Sequence, residues 1–472
     1  MRRLEAGQEV DGYRVGELLS SGAMAHIHRV TPVAGQPAPG FPLVMKVPRL
    51  ARSDGTETVV GHEVELQMLQ DLKGAHVPRF VAAGDLDRLP YIVMEEVPGR
   101  TLQAWLTGPA HPPFMTVARL GAALARAAHS LHQQNAVHED LKPANVMIRP
   151  DGQAVLLDFG LSYSGHFPDL LAEQLRESVG SPAWISPEQV VGTRGDPRSD
   201  IFAIGVILYQ LLTGELPFGA PQTRRGLRQR LWMDPPPPRQ RRRELPAWLQ
   251  EVVLRCLEPQ AADRYPSAAH LAFDLRHPKQ VRVGSRGNRL KGAGAWEHLR
   301  RWVRASGRDY EPSPLPARQV HEVPIVMVAL PHDDASDPSL YALQQMADRA
   351  LGQRPGAQLA VVTVVLPHET NPSEEERSEV NVHRHLLAAL QRWARGLDLG
   401  GHRLSCHVLE ADDVAKAVLE FARGNHVSLI ILGASTHGLA LQPWIPTVPI
   451  RVAMEAPCSV TLVRQGHSAA WE

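Results

Sequence analysis

The chain has 472 residues, enough for two or three domains, and its 50 Lys and Arg residues balance its 50 Asp and Glu residues. Without net charge it has no overall field to attract nucleic acid or an anionic membrane, so neither is expected as a partner. The amino-terminal segment lacks the apolar core of a signal peptide, no apolar run is long enough to span a bilayer, and the three cysteines lack metal-ligand spacing. These features predict a cytoplasmic protein.

The first predicted elements are a loop, a strand and a helix. Gly22 lies in a loop of mostly small residues at 19–27, which would let backbone amides approach a ligand. The strand at 42–47 is apolar except for Lys46, and the helix at 62–72 follows it. A lysine in so apolar a strand is rarely left without a partner, so Lys46 is a candidate functional residue.

Two segments further along carry the groups that phosphoryl transfer needs. Residues 138–145 have the sequence HEDLKPAN, and residues 158–160, after an apolar strand, are DFG. The reaction needs a carboxylate to orient the attacking hydroxyl, an amide and a second carboxylate to hold Mg²⁺, and a cation on the transferring group. These groups are supplied by Asp140, Asn145, Asp158 and Lys142.

With these motifs in this order, residues 1–276 resemble the eukaryotic-like (bacterial-type) Ser/Thr protein kinase family. A lysine two positions after the catalytic aspartate is the Ser/Thr form rather than the Tyr form of the motif. The resemblance implies an α+β bilobal protein kinase fold, with a small lobe at about 10–97 and a large lobe at about 98–276. It also implies ATP and Mg²⁺ as cofactors and protein substrates with Ser or Thr hydroxyls.

The resemblance gives each catalytic residue an expected role. Asp140 accepts or orients the proton of the substrate hydroxyl, and Lys142 steadies the γ-phosphate. Asn145 holds one Mg²⁺ and Asp158 holds the bridging Mg²⁺. Lys46 pairs with the α- and β-phosphates and with a glutamate of the following helix.

The identity of that glutamate is left open by helical periodicity alone. The family places leucines four and seven residues after it. Glu65 meets both conditions with Leu69 and Leu72, whereas Glu63 has Gln67 at the first of them. Glu65 is therefore the favoured partner of Lys46.

The remaining residues of the resemblance line the nucleotide. Met94 takes the gatekeeper position at the end of a predicted strand, and the backbone of Glu95 and Val97 is expected to receive the adenine. Only Gly22 remains of the three glycines usual in the phosphate loop, so slower or weaker nucleotide handling is expected. The expected nucleotide-binding residues are Leu19, Gly22, Ala25, Ile27, Val44, Lys46, Met94, Glu95, Val97 and Asp158.

Residues 178–188 resemble the end of an activation segment. Ser181 is expected beside Asp140 and Lys142, and Glu188 is expected in a buried ion pair with Arg264, which is costly to break from one side. Asp200 is expected to brace the catalytic loop.

One substitution in the catalytic loop bears on regulation. Most members of the family have an arginine directly before the catalytic aspartate, where it pairs with a phosphate on the activation segment, but this chain has Glu139. An acid there would repel such a phosphate, so the activation segment is not expected to be ordered by phosphorylation through that contact.

Two stretches are rich in arginine. Residues 224–243 of the large lobe form a basic, proline-broken segment, for which a solvated surface is expected. Residues 277–318 are rich in Arg, Gly and Pro, contain one predicted helix at 296–303 and have too few apolar residues for a core, so they are predicted to be the interdomain linker.

From residue 319 to 472 short apolar strands alternate with helices, which favours an open parallel sheet with right-handed crossovers. Strands are predicted at 324–330, 359–365, 404–409, 427–432 and 459–463, and helices at 339–351, 373–396, 412–424 and 447–455. Residues 429–438 and 456–464 resemble the universal stress protein family. The resemblance implies an α/β flavodoxin-like domain with a parallel five-stranded sheet, which often forms a homodimer through its last strand.

Some members of that family bind ATP through a glycine-rich loop after the fourth strand. Here only Gly433 matches, because Thr436 and Pro446 stand where the other glycines belong. Pro446 has no N–H to offer a phosphate, and proline follows the first strand at Pro331, where relatives carry an adenine-contacting aspartate. Weak ATP binding or none is therefore expected from this domain.

The sequence thus predicts an ATP- and Mg²⁺-dependent protein Ser/Thr kinase, regulated or dimerised through a universal stress protein-like domain. The alternative is a weak or inactive pseudokinase that acts as a nucleotide-binding signalling scaffold. The degenerate phosphate loop and Glu139 favour that alternative, and the complete set of catalytic residues favours the enzyme.

Overall fold

The computed structural model describes most of the chain as two domains. It covers residues 4–22, 24–36, 38–49, 56–86, 88–108, 111–171, 181–221, 223–292, 324–331, 339–353, 356–366, 375–433 and 447–463. No helix within these ranges is long and apolar enough to cross a membrane.

The amino-terminal lobe of the first domain is a curled antiparallel sheet with one helix against it. The strand order is β1-β2-β3-β4-β6-β5. Val15, Met45 and Val93 form part of its buried apolar core. The elements are β1 (Glu9–Val10), β2 (Tyr13–Ser21), β3 (Ala25–Pro32), β4 (Leu43–Pro48), α1 (Thr56–Asp71), β5 (Phe80–Ala83) and β6 (Ile92–Glu95).

The second lobe is mainly helical and is built around α5. The Asp196 side chain caps the first turn of this helix, and Gly214, with φ of 76°, ends it in the left-handed region that glycine favours. The elements are β7 (Arg100–Thr101), α2 (Leu102–Leu106), α3 (Phe114–His132), β8 (Ala136–Val137), β9 (Val146–Ile148), β10 (Ala154–Leu156), β11 (Tyr163–Ser164), α4 (Pro187–Val190), α5 (Pro197–Thr213), α6 (Arg224–Arg228), α7 (Pro238–Arg241), α8 (Ala247–Cys256), α9 (Ala268–Arg276) and α10 (Ser285–Asn288).

The start of the predicted linker packs against the large lobe. The backbone N–H groups of Gly284 and Gly287 donate to Glu251 Oε2 at 2.9 and 2.7 Å. Arg286 pairs with Glu251 and Glu258 at 3.3 and 2.6 Å. Residues 284–288 are therefore held by the large lobe, and the helix predicted at 296–303 lies outside the described residues.

The second domain is a parallel sheet with helices on both faces. Its strand order, β14-β13-β12-β15-β16, places the first strand in the centre, and every pairing is parallel. The predicted flavodoxin-like sheet is confirmed, while Thr436 and Pro446 of the glycine-poor loop lie outside the described residues. The elements are β12 (Ile325–Leu330), α11 (Ser339–Gly352), β13 (Gln358–Val365), α12 (Glu375–Ala394), β14 (Arg403–Glu410), α13 (Val414–Gly424), β15 (Val427–Gly433), α14 (Val448–Glu455) and β16 (Ser459–Val463).

Helix α1 is buried on nearly all sides. From position 59 to 69 every residue is buried except Gly61 and Leu66, which are half-buried. Val64 and Met68 join the core shared with the large lobe, whereas Val59 joins the core of the second domain. The helix is therefore covered by both domains.

Candidate active site

The centre of the site is a charged triad at the junction of the two lobes. Lys46 Nζ, on β4, lies 2.6 Å from Glu65 Oε2 on α1 and 2.8 Å from Asp158 Oδ1. Glu65, rather than Glu63, thus contacts the lysine. Asp158 remains partly open, with 42% of its side chain exposed.

The electrostatics of the triad favour its charged form. Burial alone would lower the pKa of Lys46, but Asp158 and Glu65 together outweigh it and raise that pKa. Lys46 in turn holds the pKa of Asp158 at about 2, against the effect of burial. The site therefore presents a fixed cation beside an ionised carboxylate at neutral pH.

The catalytic loop adds a second cluster of polar groups. Lys142 Nζ donates to Asp140 Oδ2 at 2.7 Å and to Ser181 Oγ at 3.0 Å. The Ser181 N–H donates to Asp140 Oδ1 at 2.9 Å. The Asn145 side-chain N–H₂ donates to the Asp140 carbonyl oxygen at 3.0 Å and to its Oδ2 at 3.3 Å. Asp140 is thereby held from three sides.

A buried carboxylate braces this loop from α5. Asp200 accepts from the backbone N–H groups of His138 and Glu139 at 3.0 and 3.1 Å, and its Oδ2 lies 2.8 Å from His132 Nε2. Burial would raise the pKa of Asp200, but these hydrogen bonds and the nearby histidines lower it. The loop carrying Asp140 is therefore anchored to the most buried helix of the lobe.

The turn after β10 is packed directly against α1. Asp158 has φ of 63°, and the fully buried Phe159 ring lies 5.2 Å from the His138 ring. A β-carbon on Gly61 would lie 3.3 Å from the Gly160 carbonyl oxygen, and one on Gly160 would lie 3.2 Å from that of Gly61. The position of α1 is therefore coupled closely to that of the turn that carries Asp158.

The comparisons with known proteins agree with this geometry. Residues 21–274, more than half of the chain, match the family described as Protein kinase domain. The chain belongs to the protein kinase family. Residues 326–464 match the Universal stress protein family, so the resemblance predicted for each domain is confirmed.

The curated relatives match the kinase domain and are longer than this chain. Serine/threonine-protein kinase PknB of Mycobacterium tuberculosis is 32% identical over 274 residues, covering 56% of this chain and 42% of PknB. Probable serine/threonine-protein kinase CE0033 of Corynebacterium efficiens is 31% identical over 278 residues, covering 56% of this chain and 41% of that protein. The chain thus spans less than half the length of each.

Most of the residues predicted to bind the nucleotide lie on β2, β3, β4 and β6 of the small lobe. Gly22 closes the β2–β3 hairpin by donating its N–H to the Ala25 carbonyl oxygen at 3.0 Å. Val44 is the strand partner of Met94, and both are buried. Leu19 is exposed at the end of β2, and Ile27, on β3, is the strand partner of Lys46.

The connection between the kinase lobes is held in place by the side chain of Glu95. The Glu95 carboxylate lies between Arg79 and Arg149, at 3.1 and 2.7 Å. Glu95 and Val97 are both buried. The Glu95 backbone N–H also donates to the Arg79 carbonyl oxygen, at 2.9 Å, so both its carboxylate and its N–H are engaged by protein groups.

Glu139 has a structural role that sequence reasoning missed. Its carboxylate accepts from the Gly195 N–H at 2.6 Å and from Gln189 Nε2 at 2.9 Å, and it lies 3.8 Å from Arg194. Burial raises the pKa of Glu139 to about 7 although Arg194 pulls it down. The glutamate thus ties the catalytic loop to α4 and to the residues before α5.

Arg194 extends this link to the start of the activation segment. Its Nε donates to Asp169 Oδ2 at 2.7 Å, and it also donates to the Leu161 carbonyl oxygen at 3.0 Å. These contacts fasten the start of the segment, from Leu161 to Asp169. Residues 172–180, which include Ser178, lie outside the described residues.

The end of the activation segment, after Ser181, is held by two buried arginines. Arg264 pairs with Glu188 through two contacts of 2.7 and 2.8 Å, as the sequence predicted. Arg230 is fully buried and donates to the carbonyl oxygens of Pro182 and Ile185. The expectation of a solvated surface was therefore wrong for Arg230, because these carbonyl groups need a buried donor.

Proposed function

We propose that the protein is an ATP- and Mg²⁺-dependent protein Ser/Thr kinase. The observation that carries this proposal is the joint placement of Lys46, Glu65 and Asp158 beside Asp140, Lys142 and Asn145. Charges aimed at a transferring phosphoryl group, with a carboxylate for the attacking hydroxyl, are the requirements of this reaction. The predicted alternative, a scaffold without activity, does not need all six groups.

The donor atoms fit Mg²⁺. This ion prefers oxygen ligands and is usually held by one or two protein groups together with substrate phosphates. The Asn145 side-chain nitrogen is engaged with Asp140, which leaves the amide oxygen for a cation, and the Asp158 carboxylate is ionised and partly open. Asn145 and Asp158 would therefore hold the metal, which would neutralise charge on the phosphates.

The protein groups then act on the hydroxyl and the phosphates. Asp140 orients the Ser or Thr hydroxyl and accepts its proton as the new P–O bond forms and the bond to the ADP leaving group breaks. Lys142 and Lys46 supply fixed positive charge to the phosphoryl oxygens. Because Lys142 already contacts Asp140 and Ser181, the substrate hydroxyl would enter beside groups held in place before the reaction.

A labelled-ATP assay with a Ser-containing peptide tests this proposal. The kinase should transfer phosphate to the peptide, and Asp140→Asn, which keeps the shape of the side chain, should remove that activity. Nucleotide binding should be measured in parallel by titration. Binding without any transfer by the unaltered chain would favour the scaffold instead.

We expect the kinase to work without phosphate on its activation segment, because Glu139 and Arg194 already fasten that segment. Ser178→Ala should leave peptide phosphorylation within a few fold of the unaltered chain. Ser181→Ala should reduce it much more, since its hydroxyl accepts from Lys142 at 3.0 Å. Loss of activity in Ser178→Ala, restored by Ser178→Asp, would contradict the role given to Glu139.

We further propose that the universal stress protein domain activates the kinase by holding α1. The support is the burial of α1 between the two domains while the Lys46–Glu65 pair is formed. A domain that binds α1 more tightly in the position where Glu65 contacts Lys46 shifts the conformational equilibrium of the helix toward that position.

The contacts between the domains combine polar groups with apolar packing. Gln391 Nε2, on α12, donates to Glu63 Oε1 at 3.0 Å, and Arg384 donates to the Leu86 carbonyl oxygen at 2.7 Å. Arg395 lies 2.6 Å from Asp85, and Arg403 lies 2.7 Å from Asp71. A small gap beside these contacts is lined mainly by apolar side chains together with Glu63 and His383; the full set is Val60, Glu63, Leu170, His383, Leu387, Cys406 and Val408.

The interface also reaches the activation segment. The Arg403 guanidinium stacks over the Phe167 ring at 5.8 Å, close to Asp169, which pairs with Arg194. The second domain thus contacts both α1 and the start of the activation segment. The same docking would stabilise both parts of the active arrangement.

Docking should depend on pH through Glu63. Burial raises the pKa of Glu63 to about 7, and its Oε2 is buried without a hydrogen-bond partner among the described residues, so the docked state favours the protonated acid. The contribution of Glu63 to the stability of the docked state is complete below the usual glutamate pKa near 4.5, and it is lost as the pH rises through about 7. His383 opposes it, because burial lowers its pKa to about 4 and protonation below its usual pKa near 6.5 weakens docking.

Glu63→Gln should remove the alkaline part of this dependence. Gln391 can still donate to the new amide oxygen, but no charge is buried at high pH. The ratio of peptide phosphorylation, variant over unaltered chain, should rise by about 3-fold or more between pH 6 and pH 8.5. Cys406, on β14, lies near Glu63. Cys406→Ala is therefore the control that shows whether this thiol contributes to the pH dependence of peptide phosphorylation. A constant ratio would contradict the role of Glu63.

Two further expectations belong to this proposal. The docked face includes β14, at one edge of the sheet, so β16 at the opposite edge stays available for the predicted homodimer. Cys256, Cys406 and Cys458 are all free thiols, which supports the predicted reducing cytoplasm.

A further inference from the structure

A cavity of about 750 Å³ lies in the large lobe and is lined by none of the catalytic groups. Its walls come from β7 and α2, from the first two-thirds of α3, from the hairpin between β9 and β10, and from the end of α9. A space of this size accommodates a ligand much larger than a single phosphate.

The lining of the cavity is strongly basic. Its charged side chains are five arginines and a single carboxylate, that of Asp151. Arg149 is neutralised by Glu95 at 2.7 Å. The other four, which come from three separate elements, are Arg100, Arg119, Arg126 and Arg276.

Among the described residues, these four guanidinium groups have no acidic partner. In the part of the chain that the structure describes, none of them lies within salt-bridge distance of a carboxylate. Arg100 donates to the Ala104 carbonyl oxygen and stacks over the Trp105 ring at 5.0 Å, and Arg119 donates to the Thr116 hydroxyl. Because the whole chain has no net charge, this is a local concentration of positive charge that a polyanion would relieve.

The floor of the cavity is apolar. Leu120 and Ile148 are buried and line it. Trp105 also lines it, and its buried indole Nε1–H finds no acceptor within the described ranges. A ligand that covers this floor therefore needs apolar groups as well as negative charge.

We propose that this cavity is a docking site for an acidic segment of a protein substrate. A peptide in which Asp or Glu residues alternate with apolar side chains meets the arginines and the apolar floor together. The site deepens the proposed kinase function and rests on it. Docking there would raise the local concentration, at Asp140, of the substrate hydroxyl that is to be phosphorylated.

The binding step is tested without catalysis. The probe is a fluorescent peptide of alternating Glu and Leu that contains no Ser, Thr or Tyr, titrated into the full chain by anisotropy. Arg119→Glu/Arg126→Glu, on one face of α3, should weaken its binding by about 10-fold or more. Arg228→Glu/Arg243→Glu alters the charge of the same lobe equally at exposed sites and should leave binding unchanged.

The functional step compares two substrates. One is a short Ser peptide, and the other is the same peptide joined through a Gly/Ser linker to the acidic segment. The linked substrate should have a KM lower by about 10-fold or more, and Arg119→Glu/Arg126→Glu should remove this advantage without changing turnover of the short peptide. No turnover of the short peptide would count against the kinase activity itself, whereas turnover without any advantage of linkage would overturn only the docking site.

Two other outcomes would overturn the proposal. Equal loss of probe binding in Arg228→Glu/Arg243→Glu would show general attraction of anions rather than a site. Tighter binding of a single-stranded RNA than of the acidic peptide, lost in Arg119→Glu/Arg126→Glu, would assign the cavity to nucleic acid.

Discussion

Asp140→Ala should lower kcat of peptide phosphorylation by about 100-fold or more, because the hydroxyl loses the carboxylate that orients it and accepts its proton. The fold should survive, since the loop remains anchored through Asp200. Initial rates with labelled ATP give the loss, and thermal unfolding tests the fold. Asp263→Ala, an exposed acid of the same lobe, is the matched control and should retain full activity.

Lys46→Met and Asp158→Ala should cause losses of similar size, about 100-fold, because each removes a charge aimed at the phosphates. Lys46→Met also leaves Glu65 buried without its cation, so some loss of stability is expected with it. Normal turnover in Asp140→Ala, Lys46→Met or Asp158→Ala, with the fold intact, would refute the role assigned to that residue.

Reversing two charges of the interdomain contact should release α1 and slow the kinase. Arg395→Asp and Arg403→Asp together would face Asp85 and Asp71 with like charge at positions now 2.6 and 2.7 Å apart. Loss of this coupling between the second domain and α1 should lower kcat/KM by about 10-fold. Amide hydrogen exchange in α1 should increase in the same variant, since the helix loses one of its two covers.

Restoring the pairs with exchanged signs is the decisive control. Asp71→Arg and Asp85→Arg, added to the double variant, should return most of the activity and the protection of α1. Recovery is expected to be incomplete, because Arg403→Asp also removes the guanidinium that stacks on Phe167. Increased activity on release would show instead that the second domain inhibits the kinase.

The candidate site follows from the sequence where its chemistry is local. Asp140, Lys142 and Asn145 are separated by few residues, and the loop that carries them brings their side chains together. Lys46 and Asp158 are 112 positions apart, yet the residue types required around a phosphate limit the alternatives. Glu65 needed the family spacing as well, because Glu63 lies on the same helix.

The partners of buried charges could not be obtained in this way. Glu139 suggested only repulsion of a phosphate, whereas the fold brings Gly195, Gln189 and Arg194 to it. Arg230 belongs to a run of arginines typical of a solvated surface but is buried and donates to the carbonyl oxygens of Pro182 and Ile185.

The sequence contained a signal that α1 packs against a second domain as well as against the kinase core. The adjacent residues Val59 and Val60 lie on different sides of the helix, the first in the core of the second domain and the second in the core of the kinase. Apolar residues on more than one side are expected of a helix that is covered twice.

The two folds, their order and the chemistry of the site could be predicted from the sequence, because the periodicity of apolar residues and the short catalytic motifs are local properties of the chain. The contacts of Glu63 with Gln391 and of Arg403 with Asp71, and the cavity lined by four arginines without acidic partners among the described residues, are seen only in the folded chain. These contacts join residues that are distant in sequence, and which of them form depends on how the surfaces of the two domains and of the helices pack.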